Sequence, residues 1–66
     1  MAESLVIIPT YNEKENIEKI IRKVFSLSHA FDILIVDDGS RDGTADIVKR
    51  LQLNEFQNRL FLEECK

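Results

Sequence analysis

The sequence predicts an α/β fold on a parallel sheet, in the order strand, helix, strand, helix, strand. Three observations carry that expectation. Two unbroken β-branched runs, Leu5-Val6-Ile7-Ile8 and Ile33-Leu34-Ile35-Val36, read as strands buried on both faces, which is the habit of parallel sheets. Between them the apolar spacing changes to a helical period: Ile17, Ile20, Ile21, Val24 and Phe25 fall on one stripe. The turn residues are few and sit directly behind the two runs. Pro9 follows the first, and Gly39 and Gly43, the only glycines, follow the second.

The elements follow in order. Pro9 is expected to stop the first strand. Asn12 is placed to cap the first helix, with Glu15 three residues on in capping-box position. Glu13 and Glu15 lie where the helix dipole favours acids. Glu15 with Lys19, and Glu18 with Arg22, are acid-before-base pairs at i, i+4 on the polar side. Ser26 to Asp32 reads as the return loop. The second run stops at Asp37-Asp38-Gly39-Ser40. A second helix starts near Asp42 to Thr44, with Ala45, Ile47, Val48 and Leu51 as its apolar side. Asn54 to Asn58 reads as a polar turn, and Arg59-Leu60-Phe61-Leu62-Glu63 as a third strand. Right-handed crossovers that keep stepping one way put both helices on one face. The opposite face then lacks its cover, and missing sequence or a partner chain is expected over it.

Composition narrows the function. The chain has 66 residues, a net charge of −3 and 44% apolar residues, which fits one soluble unit near the lower limit of independent folding. Cys65 is the only cysteine, so no internal disulfide forms. With His29 as the only histidine, a Cys/His zinc site is excluded. The mild acidity argues against nucleic acid as the main partner. No apolar run approaches the ~20 residues of a membrane span, and the N-terminus lacks the basic-then-apolar order of a signal peptide. His29 reads as a surface loop residue, and Phe31 and Phe56 as packing residues.

Ligands of open α/β sheets bind beyond the carboxyl ends of the strands. Here those ends are Pro9-Thr10-Tyr11-Asn12-Glu13 and Asp37 to Thr44, side by side if the strands are neighbours. Tyr11 offers a flat ring for stacking on a base. Glu13 and Asp38 offer acceptors for ring N–H or ribose hydroxyl groups. Each residue also has a plainer reading as a strand stop, a turn or a cap. Two adjacent acids at a strand end are harder to explain that way, because they repel each other. Asp37 is the one expected to bond backbone amides of the following turn; Asp38 is the one expected to meet a ligand. A dinucleotide fingerprint and a P-loop are absent, since Pro-Thr-Tyr-Asn-Glu follows the first strand. A calcium loop from Asp38 fails at its twelfth position, Lys49. A receiver-type acid pocket lacks an Asp ending the third strand.

Together, Leu5 to Ile17, with Pro9-Thr10-Tyr11-Asn12-Glu13 at its centre, and Ile35 to Thr44, with Asp37-Asp38-Gly39-Ser40, closely resemble the opening of glycosyltransferase family 2. Within it they look most like the polyprenyl-phosphate (dolichyl-phosphate) mannosyltransferase branch. The resemblance covers almost the whole chain, from Leu5 to about Glu63. It implies that residues 1–66 are the N-terminal, nucleotide-binding part of a type-A, Rossmann-like glycosyltransferase domain. It implies an inverting transfer of a sugar, with GDP-mannose the favoured donor over a UDP-sugar, to a lipid-phosphate or glycan acceptor such as a polyprenyl phosphate. By the same resemblance Pro9, Tyr11, Glu13, Val36 and Asp38 line the nucleotide pocket. They bind and orient and do not break the bond.

The family uses Mg²⁺ or Mn²⁺ on an Asp-x-Asp motif, and no Asp-x-Asp occurs here. No catalytic or metal-binding residue is therefore expected among these 66, and the chain alone is expected to be inactive. A cytoplasmic location is expected, with the full-length enzyme at the cytoplasmic face of a membrane. The rival expectation is a non-catalytic nucleotide-binding or oligomerising module that associates through the uncovered sheet face.

Overall fold

The structure is a computed structural model, and it describes residues 4–27 and 31–65. Its elements are β1 (Ser4–Thr10), α1 (Ile17–Leu27), β2 (Phe31–Asp38), α2 (Thr44–Asn54) and β3 (Leu60–Cys65). The three strands form one parallel sheet in the order β1-β2-β3. The βαβαβ order and the parallel pairing are as the sequence predicts.

Register fixes which side chains share a face. Val6, Ile33 and Leu60 form one cross-strand row, and Ile8, Ile35 and Leu62 the next. These rows meet the helices. Ile17, Ile21 and Phe25 of α1 and Val48 and Leu51 of α2 are buried against Ile33, Ile35 and Leu60. Both helices thus lie on one face, as outward stepping of the chain requires. The alternate residues, Leu5, Ile7 and Pro9 of β1, Leu34 and Val36 of β2 and Phe61 and Glu63 of β3, line the other face. No element among the described residues covers it: Ile7 is 60% exposed and Phe61 40%.

The boundaries differ from expectation in four places. Pro9 does not stop β1 but lies within it, paired with Val36. This costs nothing in the ladder because β1 is an edge strand, where a missing N–H is tolerated. The return loop is shorter than Ser26 to Asp32, because α1 runs to Leu27 and β2 begins at Phe31. Ser28 and His29 lie outside the described residues. The third strand begins at Leu60, one residue later than expected, and runs on to Cys65. Arg59 instead closes the turn before it, its amide donating to the Phe56 carbonyl (3.1 Å) and its guanidinium to the Phe31 carbonyl (2.8 Å).

The first helix also starts differently. Asn12 does not cap it. The Glu13 carbonyl opens the helical turn, accepting from the amides of Asn16 (3.0 Å) and Ile17 (2.8 Å). The second helix starts where expected, with Gly43 at its N-cap position in the left-handed region (φ 96°). Phe25 and Phe56 stack at 4.6 Å between ring centres, so Phe56 is a packing residue. Glu18 pairs with Arg22 (2.9 Å) as the spacing predicts, and Arg22 also reaches Glu55 (2.7 Å).

Candidate functional site

The polar residues collect at the carboxyl edge of the sheet, where the loops after β1 and β2 lie against each other. Strand alternation sorts the adjacent acids. Asp37 points to the helix-covered side and is buried, and Asp38 points to the open side and is exposed. Asp37 accepts from the Thr10 hydroxyl (2.8 Å), the Ser40 amide (3.0 Å) and the Ser40 hydroxyl. Burial pushes its carboxyl up, but the hydrogen bonds from Ser40 and Thr10 together outweigh that and hold it below the usual carboxylate range. Asp37 is therefore a structural acid, as expected, and it ties the end of β1 to the turn after β2.

Four further hydrogen bonds hold the loops together. The Asn12 amide donates to Ser40 Oγ (2.8 Å), and the Asn12 side-chain oxygen accepts from the Arg41 amide (3.0 Å). The Glu13 amide donates to Thr44 Oγ1 (2.9 Å). The Lys14 amide donates to Asp42 Oδ2 (3.0 Å). The other oxygen of Asp42 accepts from the amide (3.1 Å) and hydroxyl of Thr44. Chiefly through the Thr44 hydroxyl, the Asp42 carboxyl is also held below its ordinary value.

On this frame sit the five residues singled out in the sequence. Pro9 and Val36 are direct neighbours across β1 and β2, on the open face. Asp38 lies two residues beyond Val36 on the same face and pairs in register with Cys65. Tyr11 follows β1 directly and is 59% exposed, so its ring is free to stack. Glu13 is half-buried and its backbone is fixed by Thr44. Gly39 has φ 75° and packs close to the end of β3: a Cβ there would lie 3.7 Å from the Cys65 carbonyl. Sequence reasoning did not identify Thr10, Ser40 and Thr44 as the hydroxyls that join the loops. Ser40 and Thr44 stand a few residues from Asp37 and Asp42, which is a local signal, but the bonds of Thr10 to Asp37, Asn12 to Ser40 and Glu13 to Thr44 join segments far apart in the sequence.

Among the described residues, no three His, Cys, Asp or Glu side chains come together to hold a metal ion. Asp37 and Asp42 already spend their oxygens on hydrogen bonds. A surface groove of about 290 Å³, lined by Asn54 to Arg59, lies at the amino edge of β3, away from these loops. No helix among the described residues is long and apolar enough to cross a membrane.

An open parallel sheet with its polar loops latched at the carboxyl edge defines an α/β domain of the ligand-binding, Rossmann-like kind. The family model described as glycosyl transferase family 2 matches residues 5–66, and the chain belongs to that family. The chain is 50% identical over 50 residues to a polyprenol monophosphomannose synthase of Mycolicibacterium smegmatis, covering 76% of this chain and 19% of that protein. It is 46% identical over 62 residues to the glycosyltransferase AglE of Haloferax volcanii, covering 89% and 20%. It is 41% identical over 49 residues to an undecaprenyl-phosphate 4-deoxy-4-formamido-L-arabinose transferase of Pseudomonas syringae, covering 68% and 14%. The chain thus spans a fifth or less of these relatives. No solved structure matches it.

Proposed function

We propose that the chain is the donor-nucleotide-binding part of an inverting hexosyltransferase, whose donor is GDP-mannose and whose acceptor is a polyprenyl phosphate. The reading is supported by the relatives' names and by one structural feature. Pro9 and Val36 pair at the open carboxyl edge, with Tyr11 two residues beyond Pro9 and exposed, and Asp38 two residues beyond Val36 on the same face. Stacking of a base on an exposed aromatic ring contributes ~1–3 kcal/mol. The Asp38 carboxylate accepts from a base N–H or a ribose hydroxyl, and Glu13 takes a second polar group. These residues fix where the donor lies, which is a contribution of position and not of bond cleavage.

The Mg²⁺ or Mn²⁺ of the proposed reaction would be held by carboxylates other than those described, and the 66 residues alone would not transfer sugar. The enzyme would work at the cytoplasmic face of a membrane. The open sheet face would be closed by a second protein surface, which for the isolated chain is another copy.

The test is a titration of the ¹⁵N-labelled chain with GDP and with UDP, followed by NMR. Saturable shifts at Tyr11, Glu13 and Asp38, at lower GDP than UDP concentration, are the expected result. Shifts scattered over the molecule, or none at millimolar nucleotide, overturn the proposal and leave a non-catalytic, oligomerising module.

A further inference from the structure

We propose that Asn12 is a positioning residue for the donor nucleotide: it latches the loop after β1 to the loop after β2 and so sets Tyr11 and Glu13 against Asp38. The proposal rests on the nucleotide-binding reading above and assigns a role that reading does not need.

Four observations carry it. First, Asn12 is the one described non-glycine residue with positive φ, at 52°. That region is costly for most side chains, and asparagine is among the few that adopt it readily. Second, both its backbone and its side chain are turned to the opposite loop. The amide donates to Ser40 Oγ and the side-chain oxygen accepts from the Arg41 amide. The carboxamide that a helix cap would use is thus spent across the site.

Third, the connection continues inward. The Ser40 hydroxyl that accepts from Asn12 donates to buried Asp37, which also holds Thr10 at the end of β1. Asp38 is the next residue along β2, so the frame that fixes Asn12 also fixes Asp38. Fourth, Asn12 stands between Tyr11 and Glu13, and a rotation of its backbone moves both. The bonds of Lys14 to Asp42 and of Glu13 to Thr44 hold only the far side of this turn. A latch of this kind acts before the ligand arrives. The loops are ordered at folding, so binding loses less conformational freedom.

The experiment uses the 66-residue chain and three variants. Asn12→Gly keeps the left-handed backbone and removes the side-chain acceptor. Asn12→Asp keeps both an acceptor and tolerance of positive φ. Ser40→Ala removes the acceptor of the Asn12 amide and the hydroxyl that joins it to Asp37, the whole inward connection, while leaving the Ser40 amide on Asp37. GDP affinity is read by NMR titration, and exchange of the Arg41 amide by hydrogen exchange. The expected result is a Kd about 3- to 10-fold higher for Asn12→Gly, the equivalent of one hydrogen bond. Arg41 exchange should be faster in that variant, and Asn12→Asp should restore both readouts. Should Asn12→Gly not fold, Ser40→Ala is read in its place, with the same loss of affinity expected. Wild-type binding that both variants leave unchanged overturns this proposal alone. No binding by the wild-type chain overturns the nucleotide reading, and this proposal with it.

Discussion

The two faces of the sheet are made from the same strands and nearly the same residue types, yet they do different things. On one face Ile33, Ile35 and Leu60 are fully buried under both helices. On the other, Ile7 and Phe61 remain exposed beside Leu34, with which they share a row. An apolar side chain stabilises a fold only by what it is removed from water against. The covered face is therefore the core, and the open face, which reaches the carboxyl edge through Pro9, Val36 and Asp38, is a surface available to other molecules. The Asp37–Asp38 pair repeats the lesson at one step of a strand. One acid is buried among hydroxyls and holds the fold together; the other faces out.

Substitutions can break that comparison. The largest effect is expected on the covered face. Ile35→Ala removes buried volume at the centre of the core and should cost about 2–5 kcal/mol, which urea denaturation would register as a large loss or as an unfolded chain. An Ile7→Ala loss of similar size would show that the open face is covered in solution.

Asp37→Ala comes next. It leaves the buried Thr10 hydroxyl and the Ser40 amide without their acceptor, at about 2–3 kcal/mol in thermal melts. Asp38→Ala should leave the melting temperature nearly unchanged and weaken nucleotide binding. If the two variants behave alike, the division between inner and outer acid is wrong.

Acid sharpens the same point. The Asp37 carboxyl titrates lower in the folded chain than in the unfolded one, so its contribution is present above the unfolded value and lost as pH falls through the folded value. Asp42 and Glu55 shift in the same direction. Stability should therefore be flat near neutrality and fall once pH drops below about 4, the ordinary aspartate range. An Asp37→Asn chain should lose part of that acid-dependent fall. A chain equally stable at pH 3 and pH 6 would contradict the assignment.

Tyr11→Ala should lower nucleotide affinity by about tenfold, the loss of one stacked base, with little change in melting. The smallest effect on stability is expected on the open face itself. At a dilution where the chain is monomeric, Phe61→Ser and Ile7→Ser should each change stability by no more than about 0.5 kcal/mol. If a second copy closes that face, they should also shift sedimentation towards monomer. An unchanged association state would place any self-contact elsewhere.

Much of this was legible in the sequence because it depends on local pattern. The two β-branched runs, the stripe from Ile17 to Phe25 and the glycines after β2 dictate strand, helix and turn from residues only a few positions apart. The open face was legible as well, since it follows from strand order and the handedness of crossovers. Pro9 was misread because a proline's effect depends on whether its strand lies at an edge, which is a property of the sheet. Asn12 was misread because its sequence neighbours fit a cap, whereas Arg41, the partner it takes, is 29 residues away.

The sequence alone determined the βαβαβ order, the polar identity of the carboxyl edge and the family. Those rest on periodicity and on motifs contiguous along the chain. Only the tertiary structure decided which hydroxyl holds which acid, that Asp37 reaches back to Thr10 of the neighbouring strand, and that Asn12 bridges two loops. Hydrogen bonds between distant segments depend on register and on close approach, and these exist only once the strands have paired.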